Sequence, residues 1–307
     1  MLTYAFSQEQ LCHISGDAFT STIDQKSFKP MTTSHELQED ALVGKALHLR
    51  QGVKLQVCHS LGKSPALVFL HGGLGNRFNL RSQYEFAISQ GWEALIYDLA
   101  GHGQSSPYPR YSIGRHCRDL ARLLDCFNIS APILCCHSYG VPIGLEFAQV
   151  HPVSGIIAIA GGTHELDPWW EIPLMKSMTW FGRHIYRLPS VQKLTNFVST
   201  SYHNSVMERF FQENPTPTDF HAYTALEIFW AYNFFSRHPL PQVGMPILAI
   251  TGGKDPMFTA RRGDELVSHF SHRTHVHVPQ AGHLVMAECP DVVNLAISNF
   301  YYALKTK

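Results

Sequence analysis

Net charge is missing from this chain. Lys plus Arg and Asp plus Glu number 24 each, and charged residues make up only 16% of the sequence. No global field would draw it to nucleic acid or to an acidic membrane surface. No apolar stretch approaches the roughly 20 residues a membrane span requires. The N-terminus MLTYAFSQEQLCHISGDAF has neither a basic leader nor a continuous apolar core, so it is not read as a secretory signal. Paired-cysteine motifs are also absent. The seven cysteines (12, 58, 117, 126, 135, 136 and 289) are odd in number and form no CxxC, which argues against a disulfide framework and for a reducing compartment. Cys135 and Cys136 are strand neighbours whose side chains face opposite ways, so they do not share a metal. A cytoplasmic protein without cofactor or metal is expected.

Hydrophobic residues reach 45%, enough for a sizeable core, and there are 19 histidines. Net charge therefore climbs steeply as pH falls through about 6.5. Residues 1–40 are polar and without period, and read as an N-terminal extension. ALHLRQ and VKLQVCHS alternate around Gly52 and predict an antiparallel hairpin. Six near-continuous apolar runs follow, at 66–70, 93–98, 131–136, 155–160, 246–251 and 274–279. Such runs fit strands buried on both faces of a parallel sheet. Amphipathic segments at 78–91, 112–128, 139–152, 258–270 and 291–305 separate them. The alternation predicts a doubly wound, mostly parallel α/β sheet over 41–162 and 240–307. Residues 163–239 break the alternation. They hold no strand-like run but many aromatics, with helical spacing in AYTALEIFWAYNFF, and predict an inserted helical lid.

Chemistry concentrates at strand ends. Cys136-His137-Ser138-Tyr139-Gly140 lies between a strand and a helical pattern. A serine on such a turn is pushed outward, beside the N–H groups that open the next helix. His71-Gly72-Gly73-Leu74-Gly75 follows the run at 66–70, and its glycines let backbone donors approach a ligand. Asp98-Leu99-Ala100-Gly101-His102-Gly103-Gln104-Ser105 follows the next strand; there Asp98 is expected to accept backbone N–H bonds and hold the loop. Gly252-Gly253-Lys254-Asp255-Pro256 and Ala281-Gly282-His283-Leu284 follow the last two strands.

Together these segments resemble the α/β-hydrolase superfamily, over roughly 46–162 and 240–307. The family's elbow is G-x-S-x-G, and here Cys136 replaces its first glycine. The resemblance implies a nucleophile, acid and base in the order Ser138, Asp255, His283, with Asp167 the reserve acid after the run at 155–160. It implies an oxyanion hole from the N–H groups of Gly73 and Tyr139, with Leu74 a possible third donor. His71 and His102 are expected to bond loop backbone, His137 to pack, and His164 to lie on the surface. The implied reaction is cleavage of an ester, lactone or related acyl bond through an acyl-enzyme. Alternatives on the same triad are carbon–carbon bond hydrolysis, acyl transfer to an alcohol, or a non-catalytic binding protein of the same fold. An Asp nucleophile is disfavoured by Ser138. The lid aromatics favour a small-molecule substrate of apolar or aromatic character.

Overall fold

The computed structural model describes residues 14–15, 42–49, 52–73, 75–108, 111–162, 177 and 244–305. The expected lid, apart from residue 177, and most of the N-terminal extension, with Leu74, His164 and Asp167, lie outside them.

The hairpin forms as expected: β2 (Lys45–His48) pairs antiparallel with β3 (Lys54–Ser60) across Gly52, whose φ is +77°. A two-residue strand β1 (Ile14–Ser15) precedes them in the chain. The six apolar runs become β4 (Lys63–Leu70), β5 (Trp92–Tyr97), β6 (Ile133–His137), β7 (Gly155–Ile159), β8 (Ile247–Gly252) and β9 (Arg273–Val278). They are parallel to one another, in a sheet of order β1-β9-β8-β7-β6-β4-β5-β3-β2. β3 joins β5, and β1 joins β9, antiparallel.

The connections are α1 (Arg81–Ser89), α2 (Ile113–Phe127), α3 (Gly140–Val150), α4 (Ala260–Ser268), α5 (Val285–Glu288) and α6 (Pro290–Lys305). Ser112 caps α2 by accepting from the Arg115 N–H. The segment expected to be helical from residue 78 starts instead as a 3₁₀ turn, Arg77–Leu80. Asn76 and Asn79 close a reciprocal cap there, and α1 begins only at Arg81.

Strand parity divides the core in two. Leu134, Cys136, Ile156, Ala158, Ile247 and Ala249 pack with α2, α3 and α4, while Ile133, Cys135, Ile157, Ile159, Leu248 and Ile250 pack with α1 and α6. Both sets are essentially inaccessible to solvent, so every central strand needs apolar residues at consecutive positions. The carboxyl ends of β4, β6, β8 and β9 then lie along one rim, where the loops carrying Gly73, Ser138, Asp255 and His283 emerge.

Candidate active site

Ser138 stands between the end of β6 and the start of α3, with φ of +48°. A residue with a Cβ in this left-handed region costs roughly 1–2 kcal/mol, so its surroundings must impose the turn. Two backbone bonds pin it: the Ser138 N–H donates to the Ile159 carbonyl and the Val141 N–H donates to the Ser138 carbonyl, both at 2.9 Å. Close approach does the rest. A Cβ on Gly140 would sit 2.5 Å from the Leu70 carbonyl oxygen, and one on Gly161 2.7 Å from that of Ser138.

Cys136 takes the place of the elbow's first glycine, and the room for it comes from α3. A Cβ on Gly144 would lie 2.6 Å from the Cys136 Sγ. The pair allows a signed test. Gly→Ala inside a helix ordinarily stabilises by about 1 kcal/mol. Here Gly144→Ala is expected to destabilise by about 1–3 kcal/mol through overpacking. On a Cys136→Gly background the same change is expected to stabilise. Urea unfolding of the four proteins checks the reversal, and equal effects in both backgrounds would remove the coupling.

Asp255 and His283 come to Ser138 from the next loops along the rim. The His283 Nε2 is 3.0 Å from the Ser138 Oγ, and its Nδ1 is 2.8 Å from the Asp255 Oδ2. The other carboxylate oxygen of Asp255 accepts the N–H groups of Met257 at 2.8 Å and Phe258 at 3.1 Å. Burial pushes the Asp255 carboxyl upward. The hydrogen bond and charge of His283, with the two backbone donors, outweigh this and hold it below the usual carboxylate range. The two loops pack main chain to main chain: the Lys254 N–H donates to the Ala281 carbonyl at 2.8 Å, and a Cβ on Gly252 would collide with the Gly282 carbonyl oxygen.

The sequence matches the alpha/beta hydrolase fold family over residues 65–290. The chain belongs to the α/β-hydrolase fold family. It is 25% identical over 244 residues to 3-oxoadipate enol-lactonase 2 of Acinetobacter baylyi, covering 76% of this chain and 87% of that one. Among solved structures, a thermophilic esterase from Thermogutta terrifontis superposes with a TM-score of 0.68 at 18% identity, over 85% of this chain and 98% of the other. The enol-lactonase from Burkholderia xenovorans LB400 gives 0.67 at 20% identity, over 84% and 100%. At these identities the solved structures establish the fold alone.

In this α/β-hydrolase the glycine loop after β4 lies against the elbow. A Cβ on Gly72 would come within 2.8 Å of the His137 Nδ1 and 3.1 Å of the Ser138 Cβ. Gly73 follows at once. Tyr139 is the residue that caps the start of α3, at the end of the helix whose first N–H groups lack intrahelical acceptors. His71 braces the glycine loop. Its Nδ1 donates to the Gly72 carbonyl at 2.7 Å, and its Nε2 accepts the Leu99 N–H at 3.0 Å. His102 bonds the Ala100 carbonyl at 3.1 Å. Both histidines bond loop backbone, as expected.

Asp98 does accept a loop N–H, from Gln104 at 2.8 Å, but its main partner is not legible in the sequence. Arg77 donates to it twice, from Nη1 at 2.6 Å and from its backbone N–H at 2.7 Å. Both side chains are buried. The Arg77 Nε also reaches the Leu42 carbonyl at 3.2 Å, tying the chain entry before β2 to the same loop cluster.

Four histidines around the site are buried: His71, His102, His116 and His137. Burial drives each of them down to about 3, so they are neutral near neutral pH. His116 packs its ring against Tyr108, Tyr111 and Tyr139. Neither of its ring nitrogens has a hydrogen-bond partner among the described residues. Among those residues no cluster of His, Cys, Asp and Glu is arranged to hold a metal ion, and no helix is long and apolar enough to cross a membrane.

Proposed function

We propose that this α/β-hydrolase is a serine hydrolase acting on a small ester, lactone or related acyl compound through Ser138, His283 and Asp255. One observation carries the reading: a single imidazole lies 3.0 Å from a serine hydroxyl and 2.8 Å from a buried carboxylate. The Asp255 carboxylate accepts from the His283 Nδ1, so the Nδ1 carries the proton and the Nε2 is left as an acceptor for the serine hydroxyl. Ser138 attacks the acyl carbon as its proton passes to His283. The N–H groups of Gly73 and Tyr139 take up the charge on the carbonyl oxygen, with Leu74 a further candidate donor. The same imidazole then protonates the leaving alkoxide and activates the water that releases the acid. Asp255 holds the ring and offsets its charge in both half-reactions.

The insertion at 163–239 is proposed as a helical lid that shapes an apolar or aromatic acyl pocket over this rim. The similarity to 3-oxoadipate enol-lactonase 2 supports including enol lactones among the substrates tried.

A fluorophosphonate probe tests the nucleophile directly. The wild type is expected to be labelled and to hydrolyse members of a p-nitrophenyl ester and enol-lactone panel, and Ser138→Ala to do neither. A folded wild type that is neither labelled nor active would support a binding protein of this fold instead. Product analysis with an added alcohol distinguishes hydrolysis from acyl transfer.

A further inference from the structure

His137 precedes the nucleophile, and the chemistry above gives it no task. Its side chain is wedged between two other parts of the site. The Nε2 lies 3.1 Å from the carbonyl oxygen of His283, 146 residues away in the chain. A carbonyl only accepts, so the Nε2 carries the hydrogen and donates. The Nδ1 is then the unprotonated nitrogen. It is buried without a hydrogen-bond partner among the described residues and faces Gly72, where a Cβ would come within 2.8 Å. The residue is 3% exposed, and its ring centroid is 5.1 Å from that of His283.

One rigid ring therefore touches the glycine loop on one side and holds the main chain of residue 283 on the other. Its own backbone is continuous with Ser138. Asp255 fixes the rotation of the His283 imidazole through its Nδ1, but a side chain pivots on its backbone, and at residue 283 the carbonyl is the group that His137 engages. We propose that His137 is a positioning residue: its Nε2–H bond to the His283 carbonyl sets the distance from the His283 ring to the Ser138 hydroxyl. The proposal rests on the reading of Ser138, His283 and Asp255 given above.

Misplacing a reacting group by about 1 Å can cost roughly 100-fold in rate. His137→Leu, which deletes the donor, is expected to lower kcat by about 10- to 100-fold, with KM within about threefold. The second-order rate of fluorophosphonate labelling should fall in parallel. Two amides add a geometric readout. The side-chain amide nitrogen introduced by His137→Gln falls near the lost Nε2, whereas the one introduced by His137→Asn reaches only as far as the Nδ1. His137→Gln should recover most of kcat, and His137→Asn should not.

A merely structural role would move the melting temperature and leave kcat per folded molecule unchanged, with no order between the two amide variants. If Ser138→Ala is inactive and His137→Leu keeps kcat within about threefold of wild type, the positioning role is wrong while the triad stands. If His137→Leu does not fold, equal kcat for His137→Gln and His137→Asn overturns it. A Ser138→Ala protein as active as wild type would instead overturn the reading on which this one rests.

Discussion

Ser138→Ala, His283→Ala and the double variant should all lower kcat by about the same factor, roughly 10⁶, because in the proposed mechanism serine and base act as one unit. Without the imidazole at 3.0 Å the hydroxyl keeps its proton, and without the hydroxyl the imidazole has nothing to activate. Effects that add instead of saturating would mean that the two do not share a step. Asp255→Asn should cost less, about 10⁴-fold, and the local hydrogen bonding says why. The Met257 and Phe258 N–H groups already occupy one side-chain oxygen of Asp255. An asparagine must keep its carbonyl there and turn its NH₂ toward the His283 Nδ1. That nitrogen becomes the acceptor, the proton moves to the Nε2, and the serine hydroxyl loses its base. The fold should survive, since the two loops still meet through their main chains. Steady-state kinetics with circular dichroism on the four variants checks both statements. An Asp255→Asn enzyme of near-normal kcat would return Asp167 to consideration as the acid.

The second large effect is acid lability. An unfolded histidine takes up a proton near pH 6.5, whereas His71, His102, His116 and His137 do so only near about 3 when folded. A base depressed by folding contributes stability that is complete above its unfolded value and is lost as pH falls toward its folded one. Between pH 7 and pH 5 each such histidine loses about 2 kcal/mol. Asp119 works the other way. Burial raises its carboxyl to about 7, so as pH falls the folded state gains a proton there that the unfolded state does not, returning about 2 kcal/mol. For these five groups the net is a loss of about 5 kcal/mol, set against a typical domain's 5–15 kcal/mol, and the carboxyls of Glu85 and Asp98, which burial also raises, offset part of it. Urea midpoints should therefore fall between pH 7 and pH 5, with a net uptake of protons on unfolding. His116→Phe should reduce that uptake by about one proton, because this ring sits among tyrosines with no hydrogen bond to lose. Stability that stayed flat over this range would show that these imidazoles are not neutral in the folded protein.

How legible the molecule is from sequence depends on how local each cause is. The parallel strands announce themselves because burial on both faces demands consecutive apolar residues, as in Ile156–Ile157 or Leu134–Cys135. The elbow is visible because a serine between a strand and a helix is a contiguous pattern. The polar start of β4 at Lys63 and the 3₁₀ turn at Arg77 are less visible, since neither carries a hydrophobic period. Arg77 itself gives no signal: its partner Asp98 is 21 residues away, and only the folded loops bring them together. Packing alone is expected of His137, because its partner is a main-chain carbonyl, which leaves no mark on residue identity. Cys136 in place of glycine reads as crowding in the linear pattern, whereas Gly144, one turn into the following helix, holds the missing space.

The left-handed backbone of Ser138 sets two demands on this chain against each other. That residue is held in a conformation it would not choose alone, by backbone bonds and close packing within the fold itself. In the proposed mechanism, folding thus does in advance part of the work that would otherwise fall to each catalytic cycle. Drift toward glycine at residue 138 would be rewarded in thermal robustness and, under the proposed mechanism, punished in turnover, so selection for robustness alone would erode the proposed nucleophile first.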